Sequence, residues 1–478
     1  MNKKDILIAA AVALVFQLVF SLSTSPLYVL YGGDAPFFEI IGLGITQGKV
    51  PYVDLFDHKG PVVFFINALG FSLGIGKYGV FVLQLIAMTV SVLFFRKLAG
   101  LFTSSSKKAW AAVLLSLVPL VDFAVDGNHC EEWMLPFSAA SLYLALKYVL
   151  SGEKCHKLWW SVFYGISCAV MFYIRPTDGV MWIGGLFLGL MIYWFVRGMR
   201  NQILPNIGAF IGGFALVSAP IFIYFGAHGA IPDFIYGMII HNVKYAGDAM
   251  FTWGGIGMII VPLVITAASM WLLRKEGKTD LWYILAGLLV LTLILIGKRD
   301  YYHYLMPFVP QIAVCFALCL EHRWKTYLWI VVSLFAVFSY RGCTYIVKGV
   351  QKRADYKTLY EQTDSLFDLV PESERNNVWN YNLTVYFDNS RPHIASLLGA
   401  YLHRGVTPGN RVFAYFQLDY LEPGDRIIDK EPKWVLMQPD DYFHKDFDYI
   451  FENYDLVAAT PSEPVCEVRL YRRKVAAE

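Results

Sequence analysis

Long apolar runs separated by short polar ones recur from the amino terminus to about residue 341, and that rhythm sets the expected fold. A helix needs roughly 17 to 25 apolar residues to cross about 30 Å of hydrocarbon. Runs of that order lie at about 6–24, 79–95, 108–125, 133–150, 158–174, 179–196, 203–225, 253–273, 280–297, 304–320 and 326–341. A further stretch, 61–76, is short and interrupted by Asn67, Gly70, Gly74 and Gly76, so it reads as a helix lying in the interface. From about 342 hydropathy falls and charged, Pro and Asn residues return. There, 349–370 reads as an amphipathic helix, 377–386 as strand, 394–402 as helix, and 434–438 and 465–471 as β-rich segments. The pattern predicts a polytopic α-helical membrane protein of about eleven transmembrane helices, with interfacial helices in its first outer loop. It divides into a membrane module, 1–341, and a small extracytoplasmic α/β domain, 342–478.

Composition agrees with the pattern. Of 478 residues, 56% are hydrophobic and 16% charged, with mean hydropathy +0.47, far more apolar than a soluble domain. The first run is long for a signal peptide and no Ala-x-Ala cleavage site follows it, so it reads as a retained span. Orientation follows from the cations. With 61–76 at the surface, Arg96, Lys97, Lys107, Lys108, Lys154, Lys157, Arg197, Arg200, Arg274, Lys275, Lys278, Arg323 and Lys325 all fall on the side of Lys3 and Lys4. That is the positive-inside pattern, and it predicts a cytoplasmic amino terminus and an extracytoplasmic carboxyl terminus. Net charge is +2 and the cations sit in short loops, which argues topology and excludes a nucleic-acid partner. Seven cysteines without Cys-x-x-Cys spacing give neither a metal knuckle nor a disulfide framework.

The same topology gathers the polar outer loops, 25–60, 126–132, 175–178, 226–252 and 298–303, around one surface. Ionisable groups beside a bilayer are costly, so their convergence marks a candidate site. Asp34 follows Gly32-Gly33 and suits a general base at the membrane surface, or an N-cap for the helix after Pro36. Asp54, Asp57, His58 and Lys59 precede a helix start at Pro61, where a lysine beside free N–H groups suits a phosphate, or snorkels to headgroups. Glu131 and Glu132 open the run from 133, either as a second acid, or metal ligand beside His129, or as partners of the helix dipole. Arg175 fits a bidentate phosphate contact or a pair with Asp178. Lys298, Arg299, Tyr302 and His303 bring cations to the face that positive-inside topology leaves poor in them, suiting a lipid phosphate, or form an aromatic belt with a few charges. No Gly-rich nucleotide loop is present in the sequence.

These residues carry a resemblance. Asp34 just after the first span, Gly48-Lys49-Val50-Pro51-Tyr52-Val53-Asp54 leading to Phe56-Asp57-His58-Lys59-Gly60-Pro61, Gly127-Asn128 to Glu132, Ile174-Arg175-Pro176-Thr177 and Tyr302-His303-Tyr304-Leu305-Met306-Pro307 together resemble the glycosyltransferase C superfamily. The likeness is to its bacterial branch, related to protein O-mannosyltransferases and the lipid A aminoarabinose transferase, which use polyprenyl-phosphate sugars. It implies that Asp34 is the catalytic carboxylate acting on the acceptor and that Lys59 holds the donor phosphate. It further implies that Lys298, Arg299 and His303 line the lipid-phosphate side, and that Glu131 or Glu132 shapes the acceptor or sugar pocket. Two departures stand out: Ala35 where many relatives have a second acid, and Gly60 where they have a second proline. The first leaves a divalent cation open as the only cofactor to consider.

The expectation is an integral membrane glycosyltransferase moving a sugar from a polyprenyl-phosphate donor to an extracytoplasmic glycan, lipid or protein. A lipid-linked saccharide transporter or flippase, or a polymerase or ligase for pyrophosphate-linked glycans, would use similar charges. Transporters often show internal repeats, and none is evident.

Overall fold

The computed structural model describes residues 3–29, 33–123, 127–247, 253–295, 302–381, 397–413, 424–438, 447–463 and 466–474. Helix covers each of the eleven expected apolar runs, beginning with Lys3–Phe20. Among the described residues, Lys77–Ala99, Cys130–Ser151, Pro176–Val196, Arg200–Ala227 and His303–His322 are long and apolar enough to cross a membrane. Arg200–Ala227 shows why such a helix needs lipid: only 11% of its most apolar window is buried by protein, and Leu204, Ile211, Leu216 and Ile223 point outward.

The segment after the first helix folds into two short apolar helices, Ala35–Thr46 and Pro61–Ser72, each with a proline in its first turn. At 1.5 Å per residue such a helix reaches about 18 Å, short of a bilayer core.

The last two expected spans form one unbroken helical run, Val309–Asp368, with no loop at Arg323 and Lys325. Its contacts rule out a straight rod. His303, just before it, stacks on His129. The neighbouring Asn128 bonds Glu39, which lies within electrostatic reach of Lys77 at one end of the Lys77–Ala99 helix. Glu321 sits at the opposite end, accepting from Thr103 at 2.6 Å and pairing with Lys108 at 3.2 Å. Arg353 is again within reach of Lys77. The run therefore goes down the bundle and returns, so the two expected segments are present but joined by a bend in continuous helix.

Beyond it a four-stranded sheet forms from β1 (Val378–Tyr381), β2 (Trp434–Met437), β3 (Tyr454–Ala459) and β4 (Arg469–Arg473), in the order β1-β2-β4-β3. β1 and β2 are parallel; β4 runs antiparallel to both β2 and β3. The expected helix at 394–402 is found as Leu398–Arg404. Most of the expected strand 377–386 beyond Tyr381 lies outside the described residues. One apolar core runs through the helices and reaches Trp434, Leu436 and Leu470. A smaller one packs Trp379, Val435, Met437, Ile450 and Tyr471 behind the sheet.

Candidate active site

Four chain turns at the Lys77 end of the bundle supply the site. The first is the start of the Ala35–Thr46 helix. Asp34 occupies its N-cap position, yet the side chain makes no capping hydrogen bond and remains partly exposed. Glu39, one turn on, is fully buried and accepts from Asn128 at 3.2 Å. Burial raises its carboxyl well above the ordinary value, against the opposing pull of Lys77 and the Asn128 hydrogen bond.

The second is the loop 51–60, which backbone and side-chain bonds hold on several sides. Tyr52 sits in the left-handed region (φ 69°), fully buried, and its hydroxyl donates to the Lys59 carbonyl at 2.7 Å. Asp57 Oδ1 accepts the Lys59 N–H at 2.8 Å, and Asn242 donates to the His58 carbonyl at 2.6 Å. Gly60 closes the loop: its N–H donates to the Ile174 carbonyl at 2.9 Å, and an added Cβ would lie 2.0 Å from the Tyr173 carbonyl oxygen. That contact excludes the proline of the family pattern, which would bring a Cβ and lose the N–H. The Lys59 ammonium ends 3.1 Å from His58 Nε2. Burial opposes its charge, but Tyr304, Cys130, Asp34 and Asp57 outweigh that and hold its pKa above the ordinary lysine value. The His58 ring stacks on His241 at 5.7 Å, and burial, aided by Lys244 and Lys59, pushes His241 down to about 4.

The third turn begins the Cys130–Ser151 helix. Gly127 (φ 74°) passes so close to Ser21 that a Cβ would meet its Oγ at 2.1 Å. Asn128 (φ 56°) ties three helices together, donating to Asn67 at 2.9 Å and to Glu39, and accepting from Trp133 at 3.0 Å. The next two acids then part. Glu132 turns back into a capping box with the His129 N–H (3.2 Å) and accepts from Gln84 (3.0 Å). Glu131 turns forward to Arg175, Oε1 to Nη1 2.5 Å.

The fourth element joins Arg175 to the 3-10 turn Tyr302–Phe308. Arg175 also pairs with Asp178 at 3.0 Å, and its guanidinium lies 3.4 Å from the centre of the Tyr304 ring. His303 stacks on His129 at 5.1 Å and meets Tyr304 edge-on at 4.8 Å. Asp34 lies within electrostatic reach of both Lys59 and His303, and Glu131 of Lys59, His129 and His303.

Of the residues singled out in the sequence, the fold brings Asp34, Asp57, His58, Lys59, Glu131, Arg175 and His303 together. Two are not drawn in. Asp54 is exposed on the far side of the loop, its Oδ2 accepting the Val50 N–H at 2.7 Å, and Glu132 is taken up by the helix cap. Lys298 and Arg299 lie outside the described residues, as does Asp126; Tyr302 opens the 3-10 turn. The pair between Arg175 and Asp178 is the alternative the sequence offered for that arginine; Tyr304, whose ring lies against the guanidinium, was given no role, and its only signal was adjacency to His303. Among the described residues no three His, Cys, Asp or Glu side chains gather to hold a metal. Glu131 is engaged by Arg175 and Asp57 by the Lys59 N–H.

This architecture is found in solved structures. ArnT from Cupriavidus metallidurans in the apo state superposes with a TM-score of 0.62 over 97% of this chain and 97% of its own, at 15% identity. The same protein bound to undecaprenyl phosphate superposes with a TM-score of 0.61 over 100% and 99%, at 13% identity. The fold is thus that of ArnT. No curated protein matches the chain by sequence. A family model described as "Putative competence-induced protein Ccs4 N-terminal domain" matches residues 34–328, from the carboxylate at the first turn to just past the 3-10 turn of the fourth, and the chain belongs to that family.

Proposed function

We propose that this chain is an integral membrane glycosyltransferase that moves a sugar from a polyprenyl-phosphate donor to an extracytoplasmic glycan, lipid or protein. One observation carries the reading: a partly exposed carboxylate, Asp34, lies within electrostatic reach of the half-buried ammonium of Lys59 at the ends of apolar helices. The fold is that of ArnT, one of whose structures holds undecaprenyl phosphate.

A sugar on a lipid phosphate already carries its leaving group, so the protein must orient the acceptor, take its proton and face the phosphate charge. Asp34 accepts the proton of the acceptor hydroxyl as that oxygen bonds to the anomeric carbon. The bond from the same carbon to the phosphate oxygen breaks, and its electron pair leaves with the phosphate opposite Lys59. Asp57 and His58 hold Lys59, while Glu131 fixes Arg175 against Tyr304. Lys298, Arg299, Tyr302 and His303 are assigned to the lipid-phosphate side. The proton on Asp34 passes to water, and polyprenyl phosphate leaves through the membrane. The reading keeps the amino terminus cytoplasmic and the carboxyl-terminal domain outside.

Mass analysis of lipid-linked sugars and surface glycans in cells with and without the protein tests it. The reading expects one polyprenyl-phosphate sugar to accumulate in its absence, and wild type but not Asp34→Asn to restore the pool. Pools that do not change would refute it.

A further inference from the structure

A cleft of about 490 Å³ opens between the loop 51–60 and the carboxyl-terminal sheet, and the mechanism leaves it unused. Its volume falls within the roughly 300–1,000 Å³ of small-ligand sites. Trp379 of β1 and Trp434 of β2 form part of its wall, and Asn377 and Lys430 stand exposed at its rim.

The charges of the lining balance. Arg411 pairs with Asp425 through Nε, 3.1 and 3.0 Å from its two oxygens, and Lys433 pairs with Glu374 at 2.6 Å. Asp54 and Lys430 complete three acids against three bases. A phosphate site would carry a cationic excess. A set of carboxylates, amide, guanidinium and ammonium groups instead suits a neutral polyol, because each sugar hydroxyl both donates and accepts.

Position links the cleft to the site. Arg411, in its wall, donates from Nη1 to the Tyr52 carbonyl at 3.0 Å, and its own carbonyl accepts the Phe56 N–H at 2.8 Å. Tyr52 in turn bonds the Lys59 carbonyl. A ligand seated in the cleft therefore rests on the back of the loop that carries Lys59. Resting on the transferase reading, we propose that this cleft binds the saccharide end of the acceptor.

Saturation-transfer NMR on the full purified chain in detergent tests this, with free maltotriose, mannotriose and chitotriose as probes and thermal unfolding as the check on folding. Wild type and Asp34→Asn bind at least one probe equally, and the Asn377→Ala/Lys430→Ala double variant, still folded, binds it at least about tenfold more weakly. Undiminished binding by the double variant, or displacement of the saccharide by inorganic phosphate, overturns the site. So does transfer by wild type to a protein acceptor with no probe bound at millimolar concentration, which leaves the transferase reading standing. Saccharide binding by a chain that transfers no sugar supports the site and removes the transferase reading instead.

Discussion

At the scale of single residues, the site depends on one close approach and one protected charge. Gly60 sits where a Cβ would overlap the Tyr173 carbonyl, so Gly60→Ala must move either the Lys59 loop or the turn before Arg175. The expected cost is about 1–3 kcal/mol, the usual range for overpacking, together with lost transfer. Thermal unfolding in detergent and a transfer assay read both. Lys59 supplies the pH prediction. Burial alone would lower its pKa, but the surrounding ionisable groups, Asp34 and Asp57 among them, raise it above the ordinary value. Its cationic form therefore persists as pH rises past about 10.4, where a free lysine loses its proton. Donor KM measured against pH should show no alkaline rise at the ordinary lysine value, while Lys59→Ala raises KM at every pH. Asp34 and Lys59 were legible because charged groups beside apolar runs are conspicuous. Tyr304 was not, because nothing in a Tyr-rich turn marks which ring will lie under a guanidinium.

At the scale of elements, the start of the Cys130–Ser151 helix separates two adjacent acids that the sequence could not tell apart. Asn128 in a left-handed conformation sets the entry, so Glu132 serves the helix and Glu131 the cluster. Glu132→Ala removes a capping partner and takes one acceptor from the Gln84 amide, leaving its longer bond to Ser21. It should cost about 1–3 kcal/mol of stability and leave donor KM near wild type in the folded fraction. Glu131→Gln should do the reverse, holding unfolding temperature more closely and lowering transfer by about tenfold or more through a loosened Arg175. Either variant showing the other's profile would reassign them. The apolar periodicity located the helices well, but Arg323 and Lys325 suggested a loop where the helix continues, because charge marks solvent exposure and does not by itself break a helix. β3 escaped notice since it is mostly exposed, with the burial pattern of an edge strand lacking clean alternation.

At the scale of the whole molecule, the account requires the Asp34 cluster and the carboxyl-terminal sheet to share one side of the membrane, with the Lys154 and Lys157 loop on the other. Single cysteines in place of Asp54 and Lys154 should therefore react with impermeant thiol reagents from opposite compartments. Labelling of both from the same side would break the topology on which the site depends. Overall architecture was legible because a bilayer demands long apolar runs. The cleft beside β1 and β2 was not, because it is built by residues hundreds of positions apart, such as Asp54 and Arg411, brought together by tertiary bonds such as those from Arg411 to Tyr52 and from Phe56 to Arg411.

The central claim is that Asp34 performs chemistry on a lipid-linked sugar. Purified protein in detergent, supplied with the donor that accumulates in its absence and the matching acceptor, should release polyprenyl phosphate and form product. Asp34→Asn, with unchanged unfolding temperature, should lose that turnover by about a hundredfold or more, the scale of a missing general base. Wild-type turnover in the Asp34→Asn protein would contradict the account.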